Sequence, residues 1–203
     1  MNFKNSSLKE EAAKLMQLEG NVRGEVFLDN AAYIKYREGE EGLILVEEKL
    51  AELGYPLKFT AFTSLKWYPE SLSVLVILVA KEIFNWSEDD LFEMGNSVPK
   101  FSFIVKMLMG HFISPKKCFE ESPKYWKSHF DFGELEAAEF NEKEKYLKVR
   151  VKGYKFHPFI CACHAGYFLR IAQFVLQGEK ITIKETKCIH KGDPYHEYLI
   201  SWQ

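Results

Sequence analysis

The chain has 203 residues, of which 47% are hydrophobic and 28% charged, with a formal net charge of −2. This balance excludes a disordered chain and leaves no overall field that would draw nucleic acid or a membrane surface. No basic stripe with interleaved aromatics is present.

Aromatic residues make up 15% of the chain, with 17 Phe, 10 Tyr and 4 Trp, and so predict a large core. Residues 1–20 are charged and amphipathic and lack the apolar stretch of a signal peptide. The most apolar run, 72–80, is too short to span a bilayer. The expectation is a cytoplasmic protein whose four cysteines are free thiols or metal ligands.

In chain order, Ser7 with Glu10 three residues later forms a capping box for a helix toward Leu18, ended by Gly20. Residues 26–36 and 43–53 carry apolar side chains at three- and four-residue spacing. Gly39 interrupts them and Gly54 stops them. The polar link with Pro56, through residue 64, is left without an assigned element. A central helix starts at Pro69 or Ser71 and contains Leu72, Leu75, Val76, Val79 and Ile83, apolar nearly all round. Ser87 caps the next helix, with Asp90 in its first turn. Pro99 kinks or restarts it, and Phe103, Val105, Met107 and Leu108 continue the pattern. A helix from Ser114-Pro115 holds Cys118, Phe119 and Trp126, with Pro123 as a candidate break.

After Gly133 the period shortens to that of strands. Residues 134–141 and 145–151 read as a strand pair. Residues 164–176 form a helix, ended by Gly178. Residues 180–188 alternate as a half-buried strand, and 195–202 form the last strand. The expected fold is a single α+β domain over 1–203. Residues 1–130 are mainly helical, and 131–203 form a four-stranded antiparallel sheet (ββαββ) packed on helices.

Three cysteines and three histidines fall between Cys161 and His196. The last hairpin brings Cys188 near His196. Cys161 or Cys163 lies at the entry to the helix packed over the sheet. Glu185 adds an oxygen donor, so a soft divalent ion has four donors to choose from. Glu185 and Cys188 differ by three positions and face opposite sides of a regular strand, so both reach one ion only if the strand bulges or ends between them. Spacing alone leaves open that these cysteines are small buried hydrophobes, since no Cys-x-x-Cys pair occurs.

Cys161, Gly166-Tyr167, Gly178, Glu185-Thr186-Lys187-Cys188, Gly192-Asp193 and position 196 follow the pattern of the 4-vinyl reductase-type ligand-binding domain, which this stretch resembles. The resemblance implies a non-enzymatic small-molecule sensor with a structural zinc held by Cys161, Glu185, Cys188 and His196. Histidine stands here in place of the family's last cysteine. A helix one residue longer leaves Cys163 as an alternative to Cys161. Upstream, residues 22–27 and the helix around Gly95 are similar to the wider superfamily of haem nitric-oxide-binding and vesicle-tethering domains.

The resembling sensors hold an apolar ligand between helices and sheet, so Phe103, Met107, His111 and Trp126 are candidate pocket residues for a hydrophobic or aromatic small molecule. A second copy or a signalling protein is the expected partner. Haem is not expected. His111 and His129 are available imidazoles, but the propionate-binding Tyr-x-Ser-x-Arg motif survives only at its ends in Tyr146 and Arg150, with Lys148 in the middle. No serine elbow, phosphate loop or paired carboxylates point to an enzyme, and Cys163 and His164 are neighbours that do not face one another on a helix. The alternatives to a zinc-stabilised sensor are an interaction scaffold of the same fold and a haem-based gas sensor.

Overall fold

The computed structural model describes residues 7–101, 114–176, 178 and 180–203. It is α+β, with helices preceding a four-stranded antiparallel sheet, and it divides into two compact units, Met1–Asp90 and Leu91–Gln203.

In the first unit, helix α1 (Leu8–Leu15) opens on the expected capping box. The Ser7 hydroxyl accepts from the Glu10 amide at 3.4 Å, and the Glu10 carboxylate accepts from the Ser7 amide at 3.2 Å. Strand β1 (Asn21–Arg23) pairs antiparallel with β2 (Trp67–Pro69), a small ribbon that hydrophobic periodicity did not reveal. Its strands are three residues each, too short to show a period of two.

Helix α2 spans Glu25–Glu52 and breaks at Gly39, where φ is 77°. Glycine takes that left-handed turn without the Cβ clash other residues suffer. Helix α3 (Glu70–Phe84) is buried on every side, with Val74, Leu75, Val76 and Val79 fully enclosed. At about 1.5–3 kcal/mol per buried aliphatic side chain, it is a large contributor to this unit's core. Ser87 and Asp90 then cap helix α4 (Glu88–Phe101) reciprocally. The Ser87 amide and hydroxyl donate to Asp90 Oδ2 at 2.7 and 2.8 Å, and the Asp90 amide donates back to Ser87 Oγ at 3.2 Å.

In the second unit, α5 (Pro115–His129) starts with Ser114 as N-cap. Pro123 does not break it. Proline has no N–H for the Phe119 carbonyl four residues back, and the Ser122 hydroxyl donates to that carbonyl instead, at 2.7 Å. Strands β3 (Glu134–Asn141), β4 (Tyr146–Lys152), β5 (Ile181–Lys187) and β6 (His196–Trp202) form an antiparallel sheet in the order β3-β4-β6-β5. Leu135, Leu147, Val149, Val151, Tyr198 and Ile200 are buried on one face. The other face pairs charges, with Lys148 2.8 Å from Glu139 and Arg150 2.7 Å from Glu197.

Helix α6 (Ile160–Val175) begins four residues before its expected start at 164 and therefore contains Cys161 and Cys163 in its first turns. It crosses the Leu91–Phe101 part of α4 at backbone contact. A Cβ on Gly166 would lie 1.9 Å from the Phe92 carbonyl oxygen, and one on Gly95 would lie 1.9 Å from that of Cys163. Asn96 Nδ2 donates to the Gly166 carbonyl at 3.3 Å, and Arg170 Nε donates to the Asn96 carbonyl at 3.1 Å. Among the described residues, no helix is long and apolar enough to cross a membrane.

Gly166→Ala will force these two backbones apart and lower stability by about 1–3 kcal/mol, read as a fall in Tm. The Ser87 amide, then Arg37 and then the Ser87 hydroxyl hold the Asp90 carboxyl down at about 2. Its depressed value means that its stabilisation is complete above the ordinary carboxylate pKa of about 3.9 and is lost as pH falls through about 2. Asp90→Ala will therefore cost about 1 kcal/mol at pH 7, with the difference from wild type closing between pH 4 and pH 2 in pH-resolved melts.

Candidate functional site

The β5–β6 connection builds the candidate site. Cys188 follows β5 and leads into a single 3-10 turn at Ile189–Lys191, and Gly192 takes φ 99°. Asp193 folds back so that its Oδ2 accepts from the Cys188 amide at 2.8 Å, while its own amide donates to the Cys188 carbonyl at 3.2 Å. This returns the chain with His196 beside Cys188. One strand earlier the register slips, because Glu185 pairs with Tyr198 but Lys187 pairs with Glu197. That one-residue bulge removes the objection to Glu185 and Cys188 facing one centre.

Four ligand atoms from Cys161, Glu185, Cys188 and His196 all lie within 4.8 Å of one another. The two Sγ atoms are 3.5 Å apart, Cys161 Sγ is 3.5 Å from His196 Nδ1, and Glu185 Oε1 is 3.4 Å from the same nitrogen. Cys161, not Cys163, is the cysteine that α6 contributes. Cys163 lies outside the group, and burial pushes its thiol up to about 12.

His196 is 1% exposed, and its Nε2 lies 3.0 Å from the Tyr154 carbonyl. A carbonyl only accepts, so Nε2 carries the hydrogen and Nδ1 turns toward Glu185. Glu185 Oε1 is itself buried without a hydrogen-bond donor. Two acceptors at this distance repel unless a positive centre stands with them, either a proton on Nδ1 or a cation in its place. The other carboxylate oxygen is 3.4 Å from Lys191 Nζ. Burial works to raise the Glu185 carboxyl, but His196, Cys161 and Lys191 outweigh it and hold the group at about 2. Burial, then Glu185 and Cys188, push the Cys161 thiol far above its usual range. A metal ion entering this set would therefore displace protons.

Against the cluster stands an aromatic core. The His164 ring lies 4.7 Å from Tyr154, 6.0 Å from Trp126 and 6.0 Å from Phe168. Burial, and secondarily His196, pull its imidazole down to about 3, which keeps it neutral. Trp126 stacks on Phe130 at 4.3 Å and donates its indole N–H to the Phe132 carbonyl at 3.1 Å. It belongs to this packed group. The other candidate pocket residues, Phe103, Met107 and His111, lie outside the described residues.

His129 Nδ1 is 2.9 Å from the Tyr125 carbonyl at the end of α5. Tyr146 bonds Glu139, and Arg150 bonds Glu197, both on the charged face of the sheet. Sequence reasoning missed three supports of the cluster, namely the Tyr154 carbonyl, Asp193 and Lys191. The Gly192-Asp193 turn was the available signal for Asp193; a backbone carbonyl leaves none.

No family model and no curated protein matches the chain. Its fold is that of solved H-NOX (haem nitric oxide/oxygen-binding) structures. An H-NOX protein from S. oneidensis in the Fe(II)NO ligation state is 17% identical, with 89% of this chain and 99% of that chain covered at a TM-score of 0.67. A Fe(II) unliganded H-NOX mutant from K. algicida is 13% identical, covering 89% and 96% at 0.62. An H-NOX structure concerned with heme distortion is 12% identical, covering 89% and 95% at 0.65.

These findings overturn two expectations. The resemblance to the 4-vinyl reductase-type domain does not stand as the assignment, because the solved structures sharing this fold are H-NOX proteins. The expected cofactor, structural zinc without haem, is likewise corrected. The structural relatives are iron(II) and heme proteins, and the resemblance that implied zinc has lost its footing. At these identities the comparisons establish the fold of this chain.

Proposed function

We propose that the chain works as one ligand-binding domain of the haem-based gas-sensor type, signalling through a second copy or a partner protein. The observation that carries this reading is the H-NOX fold spanning 89% of the chain. A haem asks for a neutral donor, apolar walls and cations for its carboxylates. The second unit has a neutral imidazole in His164 and many buried rings. It does not meet the third requirement among the described residues. Tyr146 and Arg150 are committed to glutamates on the charged face, and the inward positions of the same strand are Leu147, Val149 and Val151. The described residues thus do not complete a haem site.

Haem reconstitution of purified protein tests the reading. The expected outcome is uptake near one haem per chain, with a Soret band that shifts on adding nitric oxide. A chain that stays colourless overturns the gas-sensor assignment.

A second reading rests on the four convergent donors. Cys161, Glu185, Cys188 and His196 are proposed ligands of a divalent cation that ties α6 to the β5–β6 hairpin. Its support is the orientation of His196, whose Nε2 is taken by Tyr154 so that Nδ1 is left for the cluster. Elemental analysis of untagged protein should find one metal ion per chain, and chelator should lower Tm. Cys188→Ser should lose the ion. Affinity should fall as pH drops, because the thiols and imidazole must give up protons to bind. Protein free of metal, with a Tm indifferent to chelator, would refute this reading.

A further inference from the structure

We propose that the chain self-associates head to tail, with a Leu65-Lys66-Trp67 knob of one copy docking on an Ile44-Leu45 ridge of the next. Both surfaces lie in the first unit and carry large apolar side chains in the open: Leu65 is 71% exposed, Ile44 52%, Leu45 47% and Trp67 40%. Apolar side chains displayed together inside a charged rim mark an interaction surface.

The ridge breaks the pattern of its own helix. After the turn at Gly39, α2 puts Gly42, Val46 and Leu50 into the core. Glu41, Ile44, Leu45 and Glu48 share the opposite face. An amphipathic helix calls for polar side chains there, yet Ile44 and Leu45 stand in the middle of it. Residues 40–48 hold four glutamates and no lysine or arginine. Glu40 pairs with Lys35 and Glu47 with Lys58. Glu41 and Glu48 are exposed and make no ion pair among the described residues.

The knob has the opposite charge. Residues 53–69 contain two lysines and no carboxylate. Lys58 is held by Glu47, whereas Lys66 is exposed between Leu65 and Trp67 and makes no ion pair among the described residues. The backbone of the knob is pinned. The Gly24 amide donates to the Lys66 carbonyl at 2.8 Å, and the Glu25 amide donates to the Ser64 carbonyl at 3.1 Å. Arg23 donates to the Leu65 carbonyl, and its guanidinium lies 3.8 Å from the centre of the Trp67 ring. A knob fixed in advance loses little freedom on docking.

Charge selects the occupant. Ridge against ridge would set Glu41 and Glu48 against their equivalents, and knob against knob would oppose two Lys66 ammonium groups. Knob on ridge sets opposite charges around an apolar contact. Such a contact is heterologous, so it extends into chains or closes into a ring. With few side chains on each side it belongs to the small interfaces, below about 1,200 Å², and forms at high concentration. It gives the second copy of the sensor reading above a surface, and it rests on that reading only for its role in signalling.

Sedimentation velocity on the purified full-length chain, from about 10 μM to about 1 mM, tests the contact. Wild type should grow in mass with concentration, and less so in high salt. Lys66→Glu, and separately Glu41→Lys with Glu48→Lys, should each weaken association about tenfold or more at unchanged Tm. Mixing the two variants should restore association, because each then meets the opposite charge on the other. Wild type that stays monomeric throughout, association left intact by either change, or a mixture that stays monomeric would each overturn the contact. A monomeric chain that takes up haem removes the contact and keeps the sensor reading. A chain that associates with charge rescue but stays colourless does the reverse.

Discussion

The hydrogen bond from His196 Nε2 to the Tyr154 carbonyl decides how the C-terminal unit is arranged around its cluster. It ties the first residue of β6 to the connection between β4 and α6. It also spends one ring nitrogen on the backbone, so that the other faces the thiols and Glu185. Tyr154 contributes at both ends of this link. Its carbonyl orients His196, and its ring packs on His164, Phe132 and Phe156 in the aromatic core. A polar cluster and an apolar core thus share one residue as a wall, and a shift in either is felt by the other.

A second constraint is the crossing of α4 and α6. Gly95 and Gly166 let each helix meet carbonyl oxygens of the other where a methyl group would collide. The close approach lets Asn96 and Arg170 exchange hydrogen bonds with the opposite helix. It also places the first turn of α6, and with it Cys161, against the sheet end where Cys188 and His196 emerge. The bulge at Thr186 completes the arrangement by turning Glu185 to the same side. Each device is local, and the cluster needs all of them at once.

Much of this was legible in the chain. The capping boxes, the break at Gly39, the apolar run of α3 and the alternation of the four strands are near-neighbour patterns, governed by backbone geometry over a few residues. The two-stranded ribbon of β1 and β2 was not legible, because three-residue strands carry no period. The early start of α6 was hidden by the aromatic, proline-containing approach to Ile160, which shows no cap signal. Pro123 misled as a candidate break because its rescue by Ser122 depends on a side-chain rotamer. The family resemblance went astray because it rested on a few short motifs in the C-terminal third, whereas the solved structures that share the fold over 89% of the chain are H-NOX proteins.

By itself the sequence determined the α+β class, the approximate bounds of the four C-terminal strands and the four residue types that converge, since these follow from periodicity, turn chemistry and donor chemistry. Only the tertiary structure chose Cys161 over Cys163, brought Glu185 round by a bulge, turned Nδ1 of His196 inward and set Tyr146 and Arg150 on the charged face of the sheet. Those outcomes depend on contacts between residues far apart in the chain. A helix register, a strand slip or a backbone acceptor is settled by its packing partner, and the local sequence carries no record of which partner that is.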